Sequence, residues 1–324
     1  MGNAFCGRGD VKDSPAGECF PRVRRRTLTT SVRLFPSGRC VQMSGEAIVQ
    51  FWQPSSGVTA ELACAYLESG EGPPHLHEEW QVGVLERPSK LSLGAFRRYS
   101  VHADDVTIVA PYDVHGERGI AGEAPRWRML YVAPSMVARL YGQRVPRFRC
   151  PVVTDAPAAA ELRDLLCQSA AGSVGDGECL THVSRWLTQF LLRHADDAAA
   201  PRGKLAVERT LAYLQNRPTE SVSPREVEAA AGVTLSYLQR SFSRAVGLPP
   251  RSYHAQVRLA RARRLLAEGK SATWVAHECG FADQSHLSRR FKECHGLTPG
   301  AFQAQYRAVF PTGCDGGEDE CFGS

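Results

Sequence analysis

The sequence predicts an α+β chain of more than one domain: an N-terminal β-barrel or sandwich with trailing helices, then an all-α domain of two helix-turn-helix units joined by a long helix. Three observations predict it. One pattern in the last third occurs twice, about 49 residues apart. Short apolar runs broken by turn residues fill the first half. A basic C-terminal part follows a mildly acidic remainder.

Residues 1–30 carry Gly, Pro and a basic run at 22–26 with little periodicity, and read as a mobile tail. Apolar runs at 46–52, 62–67, 80–85, 106–109 and 127–132 then alternate with Gly, Pro and Asp breaks, as short strands of a barrel or sandwich do. After Ala133 the spacing turns helical, at 156–168 and 179–194. In the second of these, Val183, Trp186, Leu187, Phe190 and Leu191 share one face. That stripe is wider than a helix needs against its own barrel, so it predicts a homodimer surface. Alanine-rich residues 196–203 read as a linker, giving one domain over 31–200 and another over 204–307. Residues 308–324 read as a disordered acidic tail.

One patch of the first half carries candidate chemistry. Pro74-His75-Leu76-His77-Glu78-Glu79-Trp80-Gln81 is answered by Pro111-Tyr112-Asp113-Val114-His115. Strand side chains alternate, so His75 and His77 fall on one face, and His115 from a neighbouring strand could join them. With Trp80 and Tyr112 they could line a pocket for a small-molecule effector, serve only the core, or hold a metal ion.

The first helix-turn-helix is read at 223–244. Ser223, Pro224 and Glu226 make a capping box with proline at the first helical position. Gly232 ends that helix, and Thr234 or Ser236 begins the next, expected over 236–245. Leu238 and Phe242 lie four apart on its buried face, leaving Gln239, Arg240 and Arg244 free. Residues 253–267 contain no Gly or Pro and read as a continuous connecting helix. The second unit, 271–294, repeats the pattern: Ser271 or Thr273 caps, Gly280 turns with positive φ, and Asp283 caps a helix over 283–293. There Leu287 and Phe291 take the buried positions. The second helix of such a motif enters the major groove of DNA.

Charge agrees with this division. Residues 202–307 hold 17 Lys and Arg against 8 Asp and Glu, a net +9, so a whole-chain charge of +5 leaves −4 elsewhere. A basic domain on a mildly acidic one suits phosphate-backbone binding by the C-terminal part. No run of eighteen apolar residues and no apolar leader is present, which predicts a cytoplasmic, nucleoid-associated protein with no membrane partner. Eleven cysteines without a Cys-x-x-Cys read as reduced thiols.

The run Arg258-Leu259-Ala260-Arg261-Ala262-Arg263-Arg264-Leu265-Leu266, with Cys279-Gly280-Phe281, Phe291, Gly296, Pro299 and Phe302, resembles the AraC/XylS family of bacterial transcription regulators. The resemblance is strong over about 205–307. It implies that Ser236, Gln239 and Arg240 from the first unit, with Gln284, Ser285, His286, Ser288 and Arg289 from the second, face promoter DNA, and Arg244 is added to that set. The N-terminal half is similar to the cupin-like sensor that precedes the DNA-binding part in such regulators, which implies an effector near His75, His77, Trp80, Tyr112 and His115. Metal-binding cupins carry a glutamate four or five residues after the histidine pair, where this chain has Gln81 and Val82. No metal, cofactor or catalytic residue is therefore expected. The alternative is a metal-dependent cupin enzyme with a DNA-binding appendage. The implied partners are double-stranded promoter DNA, a small-molecule effector, a second copy of the chain and, for an activator, RNA polymerase.

Overall fold

The computed structural model describes residues 41–43, 47–52, 62–68, 74–95, 97–120, 126–171, 176–196, 205–295 and 298–309. Expectations for the 1–30 tail, for most of the linker and for the tail beyond Val309 lie outside these residues.

The chain begins with β1 (Val41–Met43), β2 (Ala47–Trp52), β3 (Leu62–Glu68), β4 (Trp80–Leu85), β5 (Ser89–Leu93), β6 (Arg97–Val101), β7 (Asp105–Val109), β8 (His115–Gly119) and β9 (Arg126–Val132). Helix α1 (Pro134–Leu140), β10 (Val152–Thr154), α2 (Ala156–Ala171) and α3 (Asp176–His194) follow. A seven-stranded sheet runs β1-β2-β3-β9-β4-β7-β10 and a three-stranded one runs β6-β5-β8, all pairs antiparallel. A bridge between His75 and His115 joins the rims. Between the sheets Leu85, Val109, Trp127 and Met129 of the larger meet Leu91, Leu93 and Val101 of the smaller. The five expected strands are all present. The sequence reading missed β1, β5, β6, β8 and β10.

β4 is buried at every position because it has cover on both faces. Trp80, Val82 and Val84 point to α1–α3, while Leu85 points into the barrel and Gln81 reaches Met129 there. The helix side explains α3. Val183, Trp186, Leu187, Phe190 and Leu191 are at most 3 % exposed, packed with Leu162, Leu166 and β4. Trp186 stacks on Phe190, with ring centroids 5.0 Å apart, and its Nε1–H donates to the Ala158 carbonyl at 3.1 Å. The expectation that this stripe forms a dimer surface is therefore corrected. The barrel consumes the whole stripe, since α3 must cover both the sheet and α2.

The C-terminal helices are α4 (Leu205–Gln215), α5 (Pro224–Ala231), α6 (Leu235–Val246), α7 (Pro250–Ala267), α8 (Ala272–Glu278), α9 (Gln284–His295) and α10 (Pro299–Val309). Two cores form, one around Leu238, Phe242, Tyr253 and Val257 and one around Leu259, Leu266, Val275, Leu287 and Phe291. α7 contributes to both, so one helix of roughly 27 Å carries the two units. The first core also takes in Leu76 and Val114 of the barrel, and the described residues form one compact unit.

Candidate nucleic-acid interface and the adjoining barrel

The first unit is assembled as its sequence demands. Ser223 Oγ accepts from Glu226 N–H at 3.3 Å, and Glu226 Oε2 accepts from Ser223 N–H at 2.7 Å. Gly232 closes α5 at φ 70°. α6 starts at Leu235, one residue before its expected range of 236–245, and its N-cap Thr234 makes no side-chain cap bond. Glu228 Oε1 accepts the Leu235 N–H at 2.6 Å instead. In the second unit Ser271, not Thr273, is the cap, accepting from Trp274 N–H at 3.3 Å. Asp283 Oδ1 accepts the His286 N–H at 2.7 Å, as a cap of α9 should.

Gly280 has φ 68°, and a Cβ there would stand 2.6 Å from the Thr219 carbonyl oxygen. Its own carbonyl accepts from Arg258 Nη1 at 3.1 Å, while Arg258 Nη2 donates to the Glu220 carbonyl. Arg258 thus ties α7 to the chain ahead of the first unit and to the turn of the second. Its place in the arginine-rich run is structural, and nothing in the residue pattern distinguishes it from the arginines around it.

With both cores satisfied, the polar faces of α6 and α9 are left outside. Ser236, Gln239 and Arg240 are exposed, as are Gln284, Ser285 and Arg289, while His286 and Ser288 are half-buried. Gln239 from α6 borders the same groove, about 740 Å³, as His286, Arg289 and Arg290 from α9. Arg251 and Arg290 on this groove, and the exposed Tyr237 on α6, were not singled out in the sequence. Two of the expected contacts are partly engaged already: Gln284 Oε1 accepts from Thr273 Oγ1 at 2.8 Å, and the His286 ring lies 5.5 Å from the Phe281 ring. Arg244 lies elsewhere. It sits on the last turn of α6 and lines a cleft against the barrel.

The five residues expected to form one effector pocket divide in two. His75, His77 and His115 do come together inside the barrel rim, with ring centroids 4.4 Å (His75–His115) and 4.8 Å (His77–His115) apart. Trp80 and Tyr112 do not join them and line the outer cleft instead. Strand alternation is the reason: Gln81 faces the His77 ring, so its neighbour Trp80 faces the opposite way. Tyr112 stands in a left-handed turn at φ 64°. Burial and the nearby Glu78 carboxylate push its phenol up to about 12.

The histidines do not make a metal site. His77 Nδ1–H donates to the Glu79 carbonyl at 2.7 Å and its Nε2 lies 2.8 Å from the Gln81 side-chain amide, so both ring nitrogens face protein neighbours. Among the described residues no group of three His, Cys, Asp or Glu could hold a metal ion. Burial holds the His77 imidazole down at about 4 and that of His115 well below its ordinary value. Neutral, buried rings suit the core role.

Outside the rim the same loop grips the helices. Arg263 Nη2 donates to Glu79 Oε2 at 2.8 Å, and Arg264 Nε is 3.2 Å from Glu78 Oε2. Tyr253 on α7 donates its hydroxyl to the Tyr112 carbonyl at 3.2 Å. The turn at Gly94 meets the turn at Gly247 so closely that a Cβ on Gly247 would lie 2.8 Å from the Gly94 carbonyl carbon.

Comparison with known proteins agrees with this arrangement. Residues 227–305 match a family described as a helix-turn-helix domain, and residues 62–185 match the AraC-like ligand binding domain. The chain is 26% identical over 226 residues to the uncharacterized HTH-type transcriptional regulator YbfI of Bacillus subtilis, covering 66% of this chain and 81% of that one. It is 24% identical over 247 residues to the HTH-type transcriptional activator RhaS of Pectobacterium atrosepticum, covering 72% and 88%. The crystal structure of a variant of apo ToxT from Vibrio cholerae shares the fold, with a TM-score of 0.50 and 12% identity over 82% of this chain and 99% of that one. No described helix is long and apolar enough to cross a membrane.

Proposed function

We propose that this chain, a member of the AraC/XylS family of transcription regulators with an AraC-like ligand-binding domain and a helix-turn-helix DNA-binding domain, reads promoter DNA by laying α6 and α9 into successive major-groove segments. The carrying observation is that α7, roughly 27 Å long, contributes its first half to the core of one unit and its second half to the core of the other, while the polar faces of α6 and α9 stay exposed. Successive grooves on one face of B-DNA lie roughly 34 Å apart. Ser236, Gln239 and Arg240 would read one segment, and Gln284, Ser285, Ser288 and Arg289 the next. Arginine suits guanine and glutamine suits adenine. His286, half-buried on Phe281, would lie against a phosphate. Arg244 would act at the barrel cleft instead of at a base.

The barrel is read as a sensor, and regulation as the function in place of catalysis. The division at 31–200 and 204–307 assigns sensing to the first part and DNA binding to the second. A second copy of the chain and RNA polymerase remain proposed partners, with a dimer surface other than the buried α3 stripe. The protein is read as acting in the cytoplasm, on the nucleoid.

Selection of bound sequences from a random duplex pool tests the reading. A site with two specified segments about ten base pairs apart is expected, with affinity falling steeply as salt rises. A pool that stays random after selection would overturn it.

A further inference from the structure

We propose that Arg258 is the positioning residue that sets how many base pairs must separate the two DNA segments read by α6 and α9. This rests on the reading of α6 and α9 as paired DNA-reading helices and names what fixes their separation.

Arg258 stands where the two C-terminal cores meet along α7: Val257 packs in the first and Leu259 in the second. Its guanidinium holds two main-chain carbonyls at once, that of Gly280 through Nη1 at 3.1 Å and that of Glu220 through Nη2. Gly280 is the turn residue three positions ahead of Asp283, which caps α9. Glu220 lies three positions ahead of Ser223, the N-cap of α5. Each carbonyl therefore belongs to the chain that leads into one unit.

Two further contacts tighten the bracket. The turn at Gly280 approaches the Thr219 carbonyl so closely that a Cβ there would stand 2.6 Å from its oxygen, so the two units touch main chain to main chain. One turn earlier on α7, His254 Nε2–H donates to the Arg217 carbonyl at 2.7 Å and holds the same loop.

A guanidinium is planar and presents its donors in a fixed fork, so oxygens bonded to both Nη atoms keep one separation and one plane. The apolar contacts that seat each unit on α7 are non-directional. The fork supplies the direction they lack. One base pair inserted between the DNA segments shifts the second by about 3.4 Å and about a tenth of a turn. With the fork closed, α9 cannot follow that shift; with the fork open, it can. Spacing is thereby specified by a side chain spent on protein carbonyls instead of on a base.

The test uses the full chain and two duplexes, one with the selected site and one with a base pair inserted between its two segments. Wild type should bind the second about tenfold or more weakly, as a mismatched site is bound. Arg258→Met should bind the two within about threefold of each other. Arg258→Lys, which bonds one carbonyl at a time, should fall between them, and serves alone if Arg258→Met does not fold. A residue that only stabilised the fold would weaken both duplexes alike. Spin labels on p-azidophenylalanine placed at the exposed Tyr237 of α6 and Lys292 of α9 give the distance between the units without DNA. By double electron–electron resonance that distance should be narrowly distributed in wild type and broadened in both variants. Folded variants that keep either the wild-type spacing preference or its narrow distances overturn the proposal. Failure of the paired-groove reading shows in the wild-type duplexes, and failure of the clamp shows in the DNA-free distances.

Discussion

The Glu79 carboxylate accepts a hydrogen bond from Arg263 Nη2 at 2.8 Å, and so fastens the barrel to the helix that carries both DNA-reading units. Two residues earlier in the same loop, His77 is turned inward, its Nδ1–H held by the Glu79 carbonyl. One short segment therefore touches the barrel interior with its histidine and the linker helix with its acid. Both partners of the pair are only about a quarter exposed or less, so breaking it strands a poorly solvated charge. Arg263→Ala is expected to lower unfolding free energy by roughly 1–3 kcal/mol in urea. In a double-mutant cycle with Glu79→Gln the two losses should be non-additive by more than about 0.5 kcal/mol. Strict additivity would show that the contact does not couple the domains.

Acid should loosen the barrel rim. The folded His77 imidazole is held down at about 4, below its ordinary 6.5, chiefly by burial, and His115 shifts the same way. The unfolded chain takes these protons first. Stability contributed by the neutral rings is thus fully present above pH 6.5 and declines as pH falls from there toward 4. The melting temperature should drop across that window, and His77→Gln should flatten the drop. An unchanged slope in the variant would remove His77 from the explanation.

Gly280→Ala should be among the most damaging small substitutions. The added Cβ would meet a backbone carbonyl at 2.6 Å, and φ 68° disfavours any side chain. A loss of roughly 1–3 kcal/mol is expected by thermal or urea melting. Gly269→Ala is the control, since positive φ recurs there with nothing within 4 Å. Equal losses in the two would mean that backbone conformation, not the close approach to Thr219, sets the cost.

Phe291 is fully buried, in edge contact with Phe302 at 5.6 Å between ring centroids. Phe291→Ala should cost roughly 3–5 kcal/mol, enough to unfold a marginal unit. A normally folded variant with altered base preference would mean that the buried and reading faces of α9 had been exchanged.

Much of the DNA-binding half was legible because its signals are local. Ser223 and Glu226, Asp283, Gly280 and the Leu238/Phe242 and Leu287/Phe291 pairs each state their role within a few residues, and the repeat states it twice. The barrel was legible only where β2, β3, β4, β7 and β9 carry dense apolar residues. β8 reads HGERG, with no hydrophobic residue, and β6 reads RRYSV, so no pattern announces the smaller sheet. Register misled the effector residues: knowing that Trp80 follows His77 says nothing of which face it takes once the strand begins at Trp80 itself. The α3 stripe was read correctly as apolar, but an apolar face does not name its partner, and here the sheet and α2 cover it. The approach of Gly94 to Gly247 joins residues far apart in sequence and had no local sign.

The central claim is that α6 and α9 read two major-groove segments together, and methylation interference on a selected duplex tests it most directly. Guanine N7 methylation should block binding at two clusters about ten base pairs apart. Arg240→Ala should erase base preference in one cluster and Arg289→Ala in the other, each costing about 1–3 kcal/mol of affinity. A single cluster, or two clusters that neither substitution alters, would contradict the paired-helix account.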